Sequence, residues 1–292
     1  MQRHSFAAMG TEVEILLEAD AGAEALLALA SAEEEFERLE ALLSRFRPDS
    51  ELSRLNAQGE LDAGDELLAV VRLALAARER TGGRFDPTVH DALVAAGYDR
   101  SFELLEDAGS SRPPGGRGPA RCGGRVAVRG RRLVLGPGAR LDLGGIGKGY
   151  AVDRVAARLA PVGACLVNAG GDLAVAGAPD GGVWPVAVEL PQGSLTLGLA
   201  GGALATSGSD RRRWRAEGEE RHHLVDPRAG RPSRSDLRTV TVAAATAVEA
   251  EVWAKALFLA GEEAAAAEAE ALGLPALLVT ADGRLRRAGG LA

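Results

Sequence analysis

The stretch LDLGGIGKGYAVD, from Leu141 to Asp153, places four glycines and one lysine directly before a segment with helical spacing. Glycines let backbone N–H groups approach an anion closely, a helix N-terminus is electropositive, and Lys148 adds a point charge. A Walker A loop would need glycine and a hydroxyl residue where Asp142 and Gly149 stand, and the dinucleotide fingerprint would need glycine in place of Tyr150. The residues therefore indicate either a phosphate loop outside both patterns or a tight strand-to-helix turn with an exposed lysine.

Lysine is rare in this chain, because only Lys148 and Lys255 are lysines among 34 Lys and Arg residues. A compact ammonium differs from a planar guanidinium in size and hydration, so each retained lysine marks either a position that requires an ammonium or chance. Lys255 follows Glu251 by four residues in AVEAEVWAKALF. That spacing is typical of a surface ion pair, or of a helix face that directs a carboxylate and an amine toward a polyanion.

Three further segments combine polar side chains with turn residues. TGGRFDPTVHDAL places Asp86 before a proline, which is commonly a turn, and ALATSGSDRRRWR joins hydroxyls to arginines that suit a phosphate, a carboxylate or a solvated edge. In RHHLVDPRAG, neighbouring residues of an extended chain face opposite ways, so at most one of His222 and His223 can point into a given site. Histidine suits proton transfer near neutral pH, although a lone histidine is often structural.

The flanking patterns predict the elements that must position these segments. TEVEILLEA alternates like a strand, and apolar spacing predicts helices over residues 24–46 and 62–80, the second closed by Gly82 and Gly83. Several short alternating runs after residue 124 predict strands, and the ADGR turn predicts a closing hairpin. Helices are predicted at about 150–159, 248–259 and 262–272. Strands and helices without regular alternation indicate an α+β fold, with mixed or antiparallel sheets and packed helices.

Composition limits the function classes. The chain has 292 residues, a net charge of −7 and a pI of about 5.3, which argues against a nucleic-acid-binding protein. Cys122 and Cys165 do not suit a disulfide framework or a zinc site. No run has the length of a membrane span, and MQRHSFAAMG lacks the features of a secretory signal. We expect a cytoplasmic protein, or an extracytoplasmic one if a leader has been removed.

Taken in order, these segments resemble the ApbE family of flavin transferases, which move FMN from FAD onto a Ser or Thr of a target protein. The matching blocks are AMGTEVEI, LSRFRPDSELSRLN, TGGRFDPTV, LDLGGIGKGYAVDRVA, LVNAGGDL, ATSGSDRRR, HHLVDPRAG and AEVWAKALFLAG. The resemblance implies a single T-fold-like domain over residues 1–292. Within it, GSSRPPGGRGPARCGG at residues 109–124 is rich in Gly and Pro and has no periodicity, which predicts an exposed or flexible loop. The resemblance also implies a transferase that uses FAD as substrate, releases AMP and acts on an acceptor protein with a Ser or Thr hydroxyl.

The resemblance further implies roles for matching positions in an FAD pocket. They are Met9, Phe46, Arg84, Phe85, Asp86, Asp142, Gly145, Lys148, Thr206, Ser207, His223 and Lys255. His223 stands where the family has a histidine close to the reacting phosphate, with Asp226 beside it, and these two residues and Lys148 are the predicted catalytic residues. Phe46 stands where the family often has a hydroxylated aromatic residue. This replacement keeps stacking on the isoalloxazine ring but loses a hydrogen bond.

A magnesium ion is also implied by the resemblance, held by a backbone carbonyl at about Gly145 and by an Asp and a Thr four residues apart on the late helix. Here the Asp position holds Glu251 and the Thr position holds Lys255. Glutamate can still bind magnesium, but a protonated lysine has no lone pair and repels the cation. Our hypothesis is that Lys255 takes over part of the metal's role by neutralising the pyrophosphate directly.

Two other functions use the same residues. An FAD-binding protein without transfer activity would show its loss at the altered metal pair. An FAD pyrophosphatase would release FMN and AMP, because water and an acceptor hydroxyl compete for one phosphorus atom.

Overall fold

The computed structural model describes residues 1–106, 120–216 and 219–291. Its helices are α1 (Ala23–Leu43), α2 (Glu51–Gln58), α3 (Asp65–Arg80), α4 (His90–Ala95), α5 (Phe102–Glu106), α6 (Gly147–Leu159), α7 (Ala247–Ala260) and α8 (Glu262–Leu272). Its strands up to the 3₁₀ turn Pro179–Gly181 are β1 (Gln2–Ala8), β2 (Thr11–Glu18), β3 (Glu60–Asp62), β4 (Val126–Arg129), β5 (Arg132–Leu135), β6 (Ala164–Ala169) and β7 (Asp172–Ala176). The later strands are β8 (Trp184–Leu190), β9 (Gly193–Leu199), β10 (Gly202–Gly208), β11 (Arg213–Ala216), β12 (Glu219–His222), β13 (Val225–Asp226), β14 (Arg231–Pro232), β15 (Leu237–Ala244), β16 (Ala276–Thr280) and β17 (Leu285–Ala288).

The chain divides into two compact units, and the first carries α6 and α7. This unit comprises Met1–Glu40, Ile146–Ser207 and Asp236–Ala292, and it is built on an eight-stranded sheet. The strand order is β1-β2-β6-β7-β10-β15-β16-β17. The hairpins β1–β2, β6–β7 and β16–β17 are antiparallel.

Both faces of this sheet are covered. The β8–β9 hairpin alternates buried and exposed residues, and Trp184, Val186 and Val188 pack with sheet residues such as Leu166 and Leu204. Helices α6 and α7 pack against sheet strands and against each other. Ten of the 14 residues of α7 are buried, as expected for a helix enclosed by a sheet and neighbouring helices.

The second unit comprises Ala41–Gly145 and Gly208–Ser235. It contains the small sheet β3-β5-β4, the hairpins β11–β12 and β13–β14, and helices α2 to α5. A buried cluster joins α4, Tyr98, Leu105, Trp214 and Val225. The indole N–H of Trp214 donates to the carbonyl of Ala96 at 2.9 Å, which fixes the β11–β12 hairpin against the end of α4.

The predicted α+β class with antiparallel sheets and packed helices is confirmed. Helix α8 has its predicted bounds, and the ADGR turn closes the β16–β17 hairpin. The helix predicted over 24–46 ends at Leu43. The chain then turns, and the carbonyl of Ser44 accepts a hydrogen bond from the hydroxyl of Ser50 at 2.7 Å. The helix predicted over 62–80 begins at Asp65, because residues 60–62 pair with β5 as strand β3.

Of the loop predicted at 109–124, residues 109–119 lie outside the described residues, and residues 120–124 have no regular secondary structure. That the chain forms a single domain stays a prediction. No helix in the described ranges has the length and apolar character needed to cross a membrane.

Candidate functional site

Two glycines at the start of α6 serve different purposes. A Cβ built on Gly149 would lie 2.7 Å from the carbonyl oxygen of Ala247, so this glycine allows α6 and α7 to cross closely. Gly147 is also buried, yet a Cβ built on it would meet no heavy atom within 4 Å. The first turn of α6 therefore has open space beside it, at the electropositive end of the helix.

Four charged side chains meet near this helix end, and we call them the ammonium cluster: Lys148, Asp172, Glu251 and Lys255. The ammonium of Lys148 contacts the carboxylate of Asp172 and lies 3.5 Å from Oε1 of Glu251. The ammonium of Lys255 lies 3.4 Å from the same Oε1. Both lysines remain partly exposed, whereas the side chain of Glu251 is only 1% exposed. The cluster thus presents two ammonium groups around one buried carboxylate.

The second oxygen of Glu251 is also occupied. Its Oε2 accepts the backbone N–H of Gly149, in the first turn of α6, at 2.9 Å. Burial raises the pKa of Glu251, but the ammonium groups of Lys148 and Lys255 and the Gly149 N–H outweigh it, so this pKa lies below its ordinary value. Glu251 is therefore an ionised carboxylate that holds both lysines in place.

Asp153, the last residue of the glycine-lysine stretch, fixes the start of α7. Its carboxylate accepts the N–H groups of Ala247 at 2.7 Å and Val248 at 3.0 Å. Thr246 adds a side-chain cap by accepting the N–H of Glu249 at 3.2 Å. Because Asp153 belongs to α6, this cap ties the two helices that carry Lys148 and Lys255.

The chemistry of these donors can be tested against the magnesium ion implied by the resemblance. A Mg²⁺ ion bound to Oε1 of Glu251 at about 2.1 Å would lie within about 5.6 Å of both ammonium nitrogens. At an effective dielectric constant of about 20, each ammonium would repel it by about 6 kcal/mol, which opposes the attraction of the Glu251 and Asp172 carboxylates and leaves the cluster without net negative charge to hold the cation. The side chains of α7 therefore do not fit a divalent cation while both lysines are protonated.

The other predicted positions in the first unit are Met9, Thr206 and Ser207. Met9 occupies the β1–β2 turn with a φ of 53°, and its N–H donates to Glu40 at 2.8 Å. Thr206 and Ser207 point to opposite faces of β10. Thr206 is exposed and pairs with the hydroxyl of Thr241 at 2.8 Å, whereas Ser207 is buried.

In the second unit, Asp142 and Phe46 share one partner, Arg45. Nε of Arg45 lies 2.5 Å from the carboxylate of Asp142, and its guanidinium lies 4.1 Å from the ring centroid of Phe46. The other oxygen of Asp142 accepts the N–H of Gly144 at 2.9 Å, which shapes the turn that leads to Gly145. Phe46 is 37% exposed, so its ring packs on the guanidinium of the buried Arg45–Asp142 ion pair and remains partly accessible to solvent.

The Arg84-Phe85-Asp86 segment is largely committed to local structure. Oδ1 of Asp86 accepts from the N–H and the hydroxyl of Thr88, and Oδ2 accepts the N–H of Gly123, all at 2.8 Å. Phe85 is buried and Arg84 is half-buried. Asp86 therefore pins residue 123 to the end of α3 rather than presenting a carboxylate to solvent.

The two adjacent histidines differ in their contacts. Nε2 of His222 lies 3.0 Å from the carbonyl of Ser233, and its Nδ1 accepts the N–H of Leu224 at 3.3 Å. Burial lowers the pKa of His222, which keeps the ring neutral and structural. His223 is half-buried after the end of β12. Asp226 lies in the turn that follows, where its carboxylate accepts the N–H and side-chain N–H groups of Arg228 at 3.0 and 3.1 Å.

Comparison with known proteins identifies the family. The profile of the ApbE family matches residues 9–278. The chain belongs to the ApbE family. An FAD:protein FMN transferase of Treponema pallidum is 29% identical over 278 residues, which cover 86% of this chain and 76% of that protein. An FAD:protein FMN transferase of Escherichia coli K12 is 28% identical over 259 residues, which cover 83% of this chain and 73% of that protein.

Solved structures of ApbE proteins share the fold over nearly the whole chain. The ApbE protein of Thermotoga maritima superposes with a TM-score of 0.83 at 26% identity and covers 98% of this chain and 96% of its own. The flavin transferase ApbE of Vibrio cholerae superposes with a TM-score of 0.79 at 26% identity, covering 99% of this chain and 97% of its own. The predicted ApbE-like fold is therefore confirmed.

Within the first unit, the structure of this ApbE protein brings together Lys148, Glu251 and Lys255, three of the positions predicted from sequence. Sequence reasoning missed Asp172 and Asp153. Asp172 follows the Gly170–Gly171 turn of the β6–β7 hairpin, inside the matching block LVNAGGDL, and that position was its only signal.

Proposed function

We propose that this protein is an FAD:protein FMN transferase. It transfers FMN from FAD to a Ser or Thr hydroxyl of an acceptor protein and releases AMP. The ammonium cluster at the N-terminus of α6 carries this proposal, because it places two ammonium groups and a helix N-terminus beside open space in a chain of the ApbE family. The relatives named as FAD:protein FMN transferases support it.

Phosphoryl transfer requires mainly positioning and neutralisation of charge on the phosphate oxygens. In this protein the first turn of α6 and the ammonium groups of Lys148 and Lys255 supply that charge for the pyrophosphate of FAD. The acceptor oxygen forms a bond to the FMN-side phosphorus, and the bond from that phosphorus to the bridging oxygen breaks. The bridging oxygen leaves with the electron pair as part of AMP.

The proton of the acceptor hydroxyl goes to a base, which is either His223 or a carboxylate of the pocket, and we assign this role to His223 because the resemblance implies a histidine there close to the reacting phosphate. Asp226, whose carboxylate is bound to Arg228 in the Asp-Pro turn, is proposed to hold that turn rather than to take the proton. The exposed ring of Phe46 is proposed to stack on the isoalloxazine ring.

The test incubates purified protein with FAD and a purified flavoprotein that accepts FMN on Ser or Thr. We expect a covalently labelled acceptor, detected by in-gel fluorescence and intact mass, together with one AMP per label. Free FMN with AMP would indicate a pyrophosphatase, and bound FAD without turnover would indicate a binding protein; both results contradict the proposal. Fractionation of cells that make the protein would test the expected cytoplasmic location.

Lys148→Ala tests the charge supplied by the cluster. One charge-assisted hydrogen bond is worth about 1.5–3 kcal/mol, so FAD affinity should fall by about 10- to 150-fold. Lys148→Arg is the matched control, because it keeps the charge but not the compact ammonium. Unchanged FAD affinity and transfer in Lys148→Ala would contradict the assignment.

A further inference from the structure

The ammonium cluster holds a lysine where the resemblance implies a metal ligand, and its donor chemistry opposes a divalent cation. We propose that Lys255 replaces the cation at this site, so that the protein binds FAD and transfers FMN without Mg²⁺. This inference rests on the proposed function and specifies the source of positive charge that the function uses.

The contacts of Lys255 support a fixed charge rather than a mobile surface group. Its ammonium lies 3.4 Å from Oε1 of Glu251 one turn earlier on α7, and its side chain is 19% exposed. An ammonium has three N–H donors, so binding to Glu251 leaves donors that can meet phosphate oxygens. Lys255 can therefore hold the carboxylate and a polyanion at once.

The length of Glu251 suits this arrangement. The carboxylate spans from the Gly149 N–H on α6 to the ammonium of Lys255 on α7. An aspartate would withdraw both oxygens toward α7 by about one C–C bond. Glu251 and Lys255 thus suit each other in length. Together they occupy the place where the resemblance implies an aspartate and a magnesium ion.

The charge balance of the cluster also supports Lys255 as the source of positive charge in place of a divalent cation. Lys148 and Lys255 are balanced by Asp172 and Glu251, so the four side chains sum to zero. With a threonine at 255 and a divalent cation, the same group would sum to one positive charge. The lysine therefore supplies a smaller charge that is covalently attached and independent of the cation concentration.

Metal binding by the full-length protein tests the inference directly, with Mn²⁺ as the probe and electron paramagnetic resonance as the readout, with and without FAD. We expect no stoichiometric site in the wild type. We expect Glu251→Asp/Lys255→Thr to bind Mn²⁺ at least about tenfold more tightly. One equivalent of Mn²⁺ bound by the wild type and released in Glu251→Gln would overturn the inference. The wild-type measurement decides the question even if the double variant does not fold.

The dependence of FAD binding on Mg²⁺ gives a second, independent test. The wild type should bind FAD equally, within about twofold, in EDTA and in Mg²⁺. Lys255→Thr should weaken FAD binding in EDTA by at least about tenfold and recover part of it with Mg²⁺, which a merely structural role would not produce. Lys255→Arg is the control that retains a cation. If the wild type binds FAD only with Mg²⁺, the inference is overturned and the proposed function is not. If the wild type binds no FAD under either condition, the proposed function is contradicted. In that case the Mn²⁺ measurement still decides the inference.

Discussion

Replacing Glu35 by Gln should lower the free energy of unfolding by about 2–3 kcal/mol at pH 7. Glu35 lies on α1, its side chain is 2% exposed, and Nε and Nη2 of Arg38 donate to it at 2.8 and 2.9 Å. Two arginines of α6 complete its contacts, with Nε of Arg154 at 2.9 Å and Nη1 of Arg158 at 3.3 Å. One carboxylate therefore fastens α1 to the helix that begins beside Lys148.

The magnitude follows from the acidity of Glu35. The hydrogen bond from Arg38 is the largest influence, and with Arg154 and Arg158 it outweighs burial and lowers the pKa of Glu35 from 4.5 to about 2. That shift corresponds to about 3 kcal/mol of preference for the ionised form in the folded state, and to about 2 kcal/mol if solvent screens the partly exposed arginines.

The sign of the pH dependence is fixed by the same shift. Because the folded-state pKa of Glu35 is depressed, its contribution is complete above the unfolded pKa of about 4.5 and is lost as the pH falls toward 2. The difference between wild type and Glu35→Gln should therefore shrink from its value at pH 7 to about half of it near pH 3.

Urea unfolding at pH 7, 5 and 3 measures this difference, with Glu37→Gln as the matched control on the exposed side of the same helix. The control should change the free energy of unfolding by less than about 0.5 kcal/mol. A cost below about 1 kcal/mol for Glu35→Gln, or a cost that is the same at pH 7 and pH 3, would refute the reasoning.

Three further predictions separate binding from folding. Gly149→Ala should lower the free energy of unfolding in urea by about 1–3 kcal/mol, because its Cβ would meet the α7 backbone. Gly147→Ala should fold normally but bind FAD more weakly in a fluorescence titration. Equal FAD affinity in Gly147→Ala and wild type would contradict this prediction. Met9→Gly should relieve about 1 kcal/mol of left-handed backbone strain yet weaken FAD binding, and a loss of thermal stability would count against it. His222→Ala should lose about 1 kcal/mol of stability, whereas His223→Ala should keep its stability and lose about 100-fold or more in transfer rate; normal transfer by His223→Ala would remove it as the base.

Local sequence patterns predict helices α6, α7 and α8 to within a few residues. The buried residues of α6 recur at helical spacing, whereas α7 is buried on most sides and carries no one-sided apolar stripe. Helix α2 was missed because only Leu52 and Leu55 are buried in an otherwise polar segment, and its start depends on a cap from Ser50.

The candidate site was predictable only in part, since its contacts join residues far apart in the chain. The rarity of lysine indicates two members of the ammonium cluster, Lys148 and Lys255. The contact of Lys148 with Asp172 is not visible in the sequence, because it depends on how β7 packs beside α6. The cap by Asp153 joins residues 94 positions apart. Gly149 belongs to a glycine-rich run that the sequence leaves open between a phosphate loop and a tight turn. The structure shows that this glycine allows a close helix crossing, which no local pattern distinguishes.

The close crossing of α6 and α7 has a consequence for how the protein responds to its substrate. The Gly149–Ala247 contact and the Asp153 cap set the separation of the two ammonium groups while the chain folds. An arriving pyrophosphate would meet charges that are already oriented, so little reorganisation energy is spent during the reaction. Folding offsets the repulsion between the two ammonium groups, so this repulsion does not have to be overcome again in each catalytic cycle.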